Sequence, residues 1–213
     1  VFAFVGRGPQ RVEVIQHPTG QALLIADRLL SAIGDHELPP TIAPVKVPEV
    51  RVTTPIVRTL RIAPSDRAAV DTQVVCDVNQ LAVRQYKADL PRITARAVVR
   101  RIVKKGSVYV AKDQWVGDNQ WADIGLTVLG VAWEAAETAD TRSWSFLPGQ
   151  IQVARLELPV GRQQLTLQPV CGPSFSGTTP PPTVIDVDVA NGRNQYIVVQ
   201  LPHDRIVGTP LRR

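Results

Sequence analysis

Four basic side chains are the residues of this sequence whose spacing most clearly suggests a chemical role. They recur at every fourth position, which places them along one stripe of a helix: Arg92, Arg96, Arg100 and Lys104. Such a stripe would bind an anionic polymer, a layer of lipid headgroups or an acidic protein surface. The commoner alternative is a solvated or internally paired face, in which like charges repel by a few tenths of a kcal/mol per pair.

Residue types suited to catalysis or metal binding occur without the patterns that such chemistry needs. His17, His36 and His203 lie in predicted loops, and no two have the spacing of a metal-ligand pair. Asp186 and Asp188 lie on the same face of a predicted strand and could hold a cation, but alternating acids on a solvated face are commoner. No Gly-x-Ser-x-Gly motif is present. The sequence therefore predicts a non-enzymatic protein with no catalytic residues, no cofactor and no metal ion.

Two glycines and two cysteines are better explained by structural roles than by chemistry. Gly6-Arg7-Gly8 follows an apolar run, as a nucleotide-binding loop does, but such a loop needs a helix directly after it. Arg11–Ile15 has the composition of a strand instead, so we interpret the glycines as a hairpin turn. Cys76 and Cys171 have no neighbouring ligand residues, and both a single disulfide and two free thiols stay open, with free thiols favoured.

The composition indicates a folded protein without a dominant charge. The 213 residues are 44% hydrophobic and 20% charged, which suffices for one core or two small ones. A formal net charge of +5 is low for a nucleic-acid binder, so no nucleic-acid partner is expected. No apolar run reaches the ~18 residues of a transmembrane helix. The chain lacks Met and a signal-peptide pattern and begins with a strand-like run, so we interpret it as part of a longer protein.

The first two thirds of the chain predict one hairpin and several helices. Val1–Val5 and Arg11–Ile15 flank the glycine turn as a β-hairpin, and a short buried helix over 21–33 follows. The proline-rich stretch 39–64 is expected to be extended, with a second strand pair, Val50–Val52 and Ile56–Ile62, around Thr53-Thr54-Pro55.

Beyond this stretch, a helical period from Asp66 to Lys105 predicts two helices that are separated at Pro91. Leu81 is expected on a buried side, and Lys104-Lys105-Gly106 marks the predicted end of the second helix. A small-residue helix is expected at about 122–137. Core packing explains the clustered tryptophans better than sugar stacking or a membrane-interface belt: Trp115, Trp121, Trp133 and Trp144.

The last third predicts antiparallel strands. Strands over 151–158 and 165–167 are expected to form one hairpin, and strands over 184–189 and 196–199 a second one around Asn191-Gly192. The fold class is therefore α+β, with terminal β-hairpins, about three or four helices and a C-terminal antiparallel β unit that approaches an immunoglobulin-like sandwich.

The predicted organisation has two lobes. Residues 1–115 would form an α+β lobe that contains the hairpin, the buried helix, the proline-rich stretch and the basic helix. Residues 116–213 would form a lobe with a small helix and antiparallel strands. One compact domain is the alternative.

Three blocks of the sequence resemble a family of largely uncharacterised bacterial cell-envelope lipoproteins that have an N-terminal tetratricopeptide-like region. The blocks are Val1–Val14 with its Gly-Arg-Gly-Pro turn, Asp77–Ala97, and Ala139–Gly161. The third is the most specific, with an Asp-x-Arg-x-Trp motif, a Leu-Pro pair and a following strand: Asp140, Arg142, Trp144, Pro148 and Arg155. Asp140 and Arg142 are expected to pair beside a packed Trp144.

The resemblance implies a lipid-anchored precursor, helical repeats before residue 1, a periplasmic or outer-membrane-associated location, and genes near those for activators of peptidoglycan synthases. It implies no enzyme. The expected function is a structural or interaction component that docks on envelope proteins, or in a larger assembly, through the β unit or the basic helix. The alternatives are a binding module for an anionic polymer or lipid surface, and a hydrolase or transferase that would need a deep polar cleft.

Overall fold

The computed structural model describes residues 1–33, 38, 42–115, 138–144, 146–173 and 175–212, with the backbone alone over 105–115. Within these ranges the protein is mixed α and β, with two helices and eleven strands. In chain order they are β1 (Phe2–Val5), β2 (Gln10–Gln16), α1 (Gly20–Ile33), β3 (Val45–Arg51), β4 (Val57–Pro64), β5 (Val70–Asp71), β6 (Gln73–Asp77), α2 (Val78–Trp115), β7 (Gln150–Val153), β8 (Gly161–Cys171), β9 (Thr183–Val189), β10 (Ile197–Leu201) and β11 (Leu211–Arg212).

The chain divides into two compact units that are interleaved along the sequence. Unit 1 consists of Val1–Gln10, Arg51–Val83 and Ser143–Arg213, and unit 2 of Arg11–Val50 and Arg84–Arg142. The predicted lobe boundary near residue 115 stays a prediction, since residues 116–137 lie outside the described ranges.

Unit 1 contains two sheets whose side chains build one hydrophobic core. The strand orders are β11-β10-β1-β7-β6 and β5-β4-β8-β9. β1 and β10 run parallel, and the other neighbouring strands of these two sheets are antiparallel. Alternate residues of the strands enter the core, as the two-residue period of a strand requires. The buried members are Ala3, Val5, Val57, Leu60, Ile62, Ala154, Leu165, Leu167, Ile185, Val187, Ile197, Val199 and Leu201.

A polar side chain marks the place where the chain passes from one sheet of unit 1 to the other. Thr72 lies between β5, in the four-stranded sheet, and β6, in the five-stranded sheet. Its hydroxyl accepts a 2.8 Å bond from the Leu60 amide and donates a 2.6 Å bond to Gln152 Oε1. Gln152 is fully buried, and its Nε2 donates to the Arg58 carbonyl at 2.9 Å. These bonds satisfy polar groups that would otherwise destabilise the core.

Unit 2 combines α1, the β2-β3 sheet and the part of α2 that begins at Arg84. Thr19 caps α1, because its Oγ1 accepts a 3.3 Å bond from the Ala22 amide. The core is small and aliphatic, with residues from α1, β3 and α2: Ala26, Leu30, Val45, Val47, Ala95, Val98 and Val99. The helix predicted over 21–33 is confirmed, but its predicted burial is wrong: Ala22, Ala26 and Leu30 are buried, whereas Leu24 is 68% and Ile33 60% exposed.

The structure corrects the helical prediction for 66–105. Val70–Asp71 and Gln73–Asp77 are strands, since the run Val74-Val75-Cys76 suits an extended chain as well as a helix. Leu81, predicted to be buried, is 62% exposed.

The predicted break at Pro91 and the predicted end at Lys104–Gly106 are also wrong, because α2 is continuous from Val78 to Trp115. Proline removes one amide donor, but the buried face that contains Ala95, Val98 and Val99 begins one turn later and favours a continuous helix. The count of three or four helices is not confirmed, and the helix predicted at 122–137 lies outside the described residues.

All four predicted strand pairs are wrong in their pairing although each contains strands. Around Thr53-Thr54-Pro55, β3 pairs with β2, and β4 pairs with β5 and β8. β1 pairs with β7 and β10 instead of β2, and β7 pairs with β1 and β6 instead of β8. β9 pairs with β8, while β10 belongs to the other sheet of unit 1. Glycines with positive φ, such as Gly6 at 71° and Gly192 at 67°, do reverse or bend the chain. The turn residues therefore mark where the chain changes direction, but they do not determine the strand's partner.

Candidate interaction surfaces

The basic stripe lies on α2, on the side away from the core of unit 2. Arg92, Arg96 and Arg100 are exposed and Lys104 is half-buried, while Ala95 and Val98 are buried. The neighbouring Arg101 donates from its guanidinium to the Pro44 carbonyl at 2.6 Å, which ties the helix to the start of β3. The stripe therefore places three exposed guanidinium groups along one side of α2.

Asp140 and Arg142 form the ion pair that the sequence suggests. Arg142 Nε lies 2.9 Å and Nη2 3.0 Å from the two carboxylate oxygens, and the Arg142 amide also donates to Oδ1 at 3.2 Å. The guanidinium and this amide lower the pKa of Asp140 to about 2. Both side chains are largely exposed, so the pair adds little stability. Trp144, predicted to be packed beside the pair, is instead 72% exposed.

The other motif residues of the third block lie in unit 1. Pro148 is half-buried, and Arg155 is exposed, with its Nη2 3.5 Å from Glu157 Oε1. An exposed pair at this distance is weak. Neither residue contributes to a cluster of chemically active side chains among the described residues.

Three chain segments that are far apart in sequence meet at one place in unit 1, which we call the glycine node. It consists of Gly6–Gly8, Asn79 and Leu147–Gly149, one segment from each of the three resembling blocks. The Gly8 amide donates to the Leu147 carbonyl at 2.7 Å, and the Gly149 amide donates to the Gly6 carbonyl at 3.3 Å. These two bonds continue the register of β1 and β7, in which Val5 pairs with Gln150.

Asn79 joins the first turn of α2 to both other segments of the node. Its amide donates to the Gly149 carbonyl at 3.1 Å, and its Nδ2 donates to the carbonyls of Arg7 at 3.4 Å and Thr53 at 3.1 Å. Asp77 begins the helix by accepting the Gln80 amide at 2.8 Å. Sequence analysis missed Asn79. Asp77, two residues before it, is an N-cap residue type and could have indicated that a helix begins there.

Close backbone contact explains why glycine occupies the node. A Cβ at Gly8 would lie 2.5 Å from the Leu147 carbonyl oxygen, and a Cβ at Gly149 would lie 2.8 Å from the Arg7 carbonyl oxygen. Gly6 has a φ of 71° and faces Pro55. The node therefore fixes the backbone at Arg7, whose side chain is exposed.

A second turn extends from the node. The Leu147 amide donates to the Trp144 carbonyl at 3.2 Å, and the two aromatic side chains of this turn are both solvent-exposed, Trp144 by 72% and Phe146 by 90%. Arg7 and Phe146 are each one residue from the hydrogen bond between Gly8 and Leu147. We call Arg7, Trp144 and Phe146 the aromatic tip.

The five-stranded sheet has an apolar face that does not belong to the core. Phe2 pairs with Val153 and Val198, Phe4 pairs with Ile151, and Val198 pairs with Leu211. These residues alternate with core residues such as Ala3 and Val199, so they face the opposite side of the sheet. We call this set, together with Tyr196, the outer face; its members are Phe2, Phe4, Ile151, Val153, Tyr196, Val198 and Leu211. Leu211 is 67% exposed, and the Phe2 and Tyr196 rings lie 6.2 Å apart.

The groups most capable of catalysis are not arranged for it. His203 Nδ1 lies 3.1 Å from Asp204 Oδ1 on the surface. Burial and the negative charge of Asp204 both raise the pKa of the Cys171 thiol, which disfavours the reactive thiolate. Cys76 and Cys171 are free thiols. His17 is exposed, and His36 lies outside the described residues.

Asp186 pairs with Arg162 at 2.8 Å, while Asp188 is exposed. Within the described ranges, no group of three or more His, Cys, Asp or Glu side chains could hold a metal ion.

Comparison with known proteins leaves the chain without an assigned family. No family model, curated protein or solved structure matches it. None of the described helices combines the length and the apolarity that a membrane span requires.

Proposed function

We propose that this chain is a non-catalytic structural or interaction component of the bacterial cell envelope, within a larger lipoprotein that docks on envelope protein partners. The outer face is the observation that carries the proposal. Six of its seven side chains lie on paired positions of neighbouring strands, and Tyr196 directly precedes β10. Contiguous apolar surface outside a core is typical of protein interaction sites.

The architecture of unit 1 favours such a role. We infer that its two sheets form an immunoglobulin-like sandwich whose five-stranded sheet offers one face to the core and the other to a partner. Aromatic side chains on the outer face, such as Phe2, Phe4 and Tyr196, are the type that contributes most to binding energy at protein interfaces. The sequence motifs of the three resembling blocks support the envelope location through the resemblance alone.

Cross-linking and mass-spectrometric pull-down of the full-length protein from native envelopes tests the proposal. Leu211→Arg places a charge on the outer face, whereas Val184→Arg places one on an exposed position of β9 in the other sheet. We expect Leu211→Arg to reduce the cross-linked partner by about tenfold and Val184→Arg to leave it unchanged. Equal yields from the wild-type chain and both variants, or no protein partner at all, would contradict the proposal.

The basic stripe supports a second candidate function, the binding of an anionic envelope polymer or lipid surface. Three exposed arginines on one helical stripe favour it. Binding through them should weaken as salt is raised and should be lost in Arg96→Glu/Arg100→Glu. Salt-independent binding, or binding that survives the double substitution, would exclude this candidate.

A further inference from the structure

The aromatic tip has three properties that neither proposed binding surface explains. Phe146 and Trp144 are among the more exposed large apolar side chains described in the chain. Arg7, the residue before Gly8, is also exposed, and no hydrogen bond or ion pair joins its guanidinium to another described residue. The glycine node joins Gly8 to Leu147, so Arg7 and Phe146 each lie one residue from a hydrogen-bonded backbone position.

We propose that the aromatic tip inserts into the headgroup region of an anionic phospholipid bilayer. Trp144 and Phe146 would enter the boundary between headgroups and acyl chains, and Arg7 would bind a lipid phosphate. Tryptophan and phenylalanine are favoured at this boundary, where an apolar ring can be buried while polar groups stay hydrated. This inference does not depend on protein docking through the outer face.

The charges around the tip fit an anionic surface. The described acids nearest in sequence to Asn79 and to Trp144 are already paired. Both carboxylate oxygens of Asp77 accept bonds, from the Gln80 amide at 2.8 Å and from Gln150 Nε2 at 3.0 Å, and Asp140 is paired with Arg142. Arg7 is therefore the charge that the tip itself presents. A basic side chain near an anionic membrane surface contributes about 1 kcal/mol, which corresponds to about fivefold in affinity.

The geometry favours a lipid layer over a protein partner. Both aromatic side chains protrude from a turn instead of lining a groove, so a protein partner would need a pocket of matching shape. A bilayer accepts protruding rings without a preformed pocket. Because the glycine node already holds Gly8 and Leu147, insertion of the neighbouring Arg7 and Phe146 would require little loss of backbone freedom at these two positions.

Vesicle flotation of the whole chain tests the proposal. The probes are vesicles that contain phosphatidylglycerol and vesicles of phosphatidylcholine alone, each at low and high salt. We expect binding to the phosphatidylglycerol vesicles that falls as salt is raised. Trp144→Ala/Phe146→Ala should reduce it by about tenfold or more. Arg7→Ala should reduce it by about fivefold, and Trp144→Phe should preserve it.

Matched controls separate the tip from the rest of the surface. Val160→Ala removes an exposed apolar side chain elsewhere in unit 1, and Arg193→Glu reverses an exposed charge in the turn after β9. Both variants should float like the wild-type chain. Circular dichroism should show that every variant is folded, because all of these side chains are exposed.

Three outcomes would overturn the inference. The first is an absence of wild-type binding to phosphatidylglycerol vesicles. The second is full binding by the tip variants together with loss in Arg96→Glu, which would assign lipid binding to the basic stripe. The third is tip variants that keep vesicle binding but lose a cross-linked protein, which would make the tip a protein-docking site.

Discussion

In unit 1 the side chain of Gln152 is fully buried and bonded to groups of two other chain segments, whereas the described core cluster of unit 2 is aliphatic and Thr94 is the buried polar residue described in that unit. The polar bonds of unit 1 form a continuous chain. Asp77 accepts from Gln150, Gln150 accepts from Gln152, Gln152 accepts from Thr72, and Thr72 accepts from the Leu60 amide. Hydrogen bonds thus connect the start of α2, beside the glycine node, to the four-stranded sheet.

The difference between the units follows from how their strands are connected. In unit 1, strands that follow each other in sequence often belong to different sheets, so apolar burial alone would leave the pairing poorly specified. Directional bonds and close glycine contacts select one arrangement. In unit 2, amphipathic helices pack on a two-stranded sheet, and aliphatic contacts suffice. We therefore expect unit 1 to be sensitive to changes that unit 2 tolerates.

Gly8→Ala should have the largest effect, because the new Cβ would lie 2.5 Å from a backbone oxygen. We expect a loss of about 3 kcal/mol in the free energy of unfolding, measured by urea denaturation. Gly20→Ala in unit 2 is the matched control, since its Cβ would meet nothing within 4 Å and Gly20 begins α1. That variant should be neutral or stabilised by about 0.5 kcal/mol. Equal losses from the two changes would remove the distinction between the units.

Replacing one buried side chain in each unit by methionine sharpens the comparison. Gln152→Met keeps the shape of the side chain but leaves the Thr72 hydroxyl and the Arg58 carbonyl without their partner. We expect a loss of about 2 kcal/mol. Leu30→Met in unit 2 conserves volume and should cost about 1 kcal/mol or less. Thermal or urea unfolding of both variants measures this, and a larger loss for Leu30→Met would contradict the account.

Thr72→Val tests whether the polar bonds act together. It removes a hydroxyl that both accepts and donates, so we expect a loss of about 2 kcal/mol. The double variant Thr72→Val/Gln152→Met should lose less than the sum of the single variants, because the two residues share a bond. Strict additivity would show that the network is not coupled.

The smallest effect is expected at the exposed pair of unit 2. The folded pKa of Asp140, about 2, lies below its ordinary value of 3.8. Such a depressed pKa stabilises the fold above pH 3.8, and the contribution is lost as the pH falls through about 2. Arg142→Gln should raise the titration midpoint of Asp140 toward 3.8, as followed by NMR. An unchanged midpoint would show that Arg142 does not cause the shift.

Local patterns predicted much of the secondary structure but little of the pairing. The period of α1 and the alternation of β8 are visible in the sequence, because each depends on residues a few positions apart. The convergence of Gly8, Asn79 and Leu147 depends on contacts between residues more than 60 positions apart, and no local signal encodes it. The motif residues of the three blocks were identifiable, but their meeting at one node was not.

The exposed aromatic tip was missed for a related reason. Four clustered tryptophans are typical of a core, and exposure depends on which segments pack over a side chain. The Trp144 carbonyl accepts a bond from the Leu147 amide, and the Leu147 carbonyl accepts one from the amide of Gly8, which is far away in the sequence. The exposure of the basic stripe was easier to predict, since the helix period alone separates Arg96 from the buried Val98.

Site-specific photo-cross-linking in native envelopes tests most directly the claim that unit 1 carries the interaction surface. A photoreactive side chain would replace Leu211 on the outer face in one sample and Arg96 on the basic stripe of unit 2 in another. The account predicts a discrete adduct with one envelope protein from position 211 and none from position 96. A protein adduct from position 96 alone would contradict it and assign the interaction to unit 2.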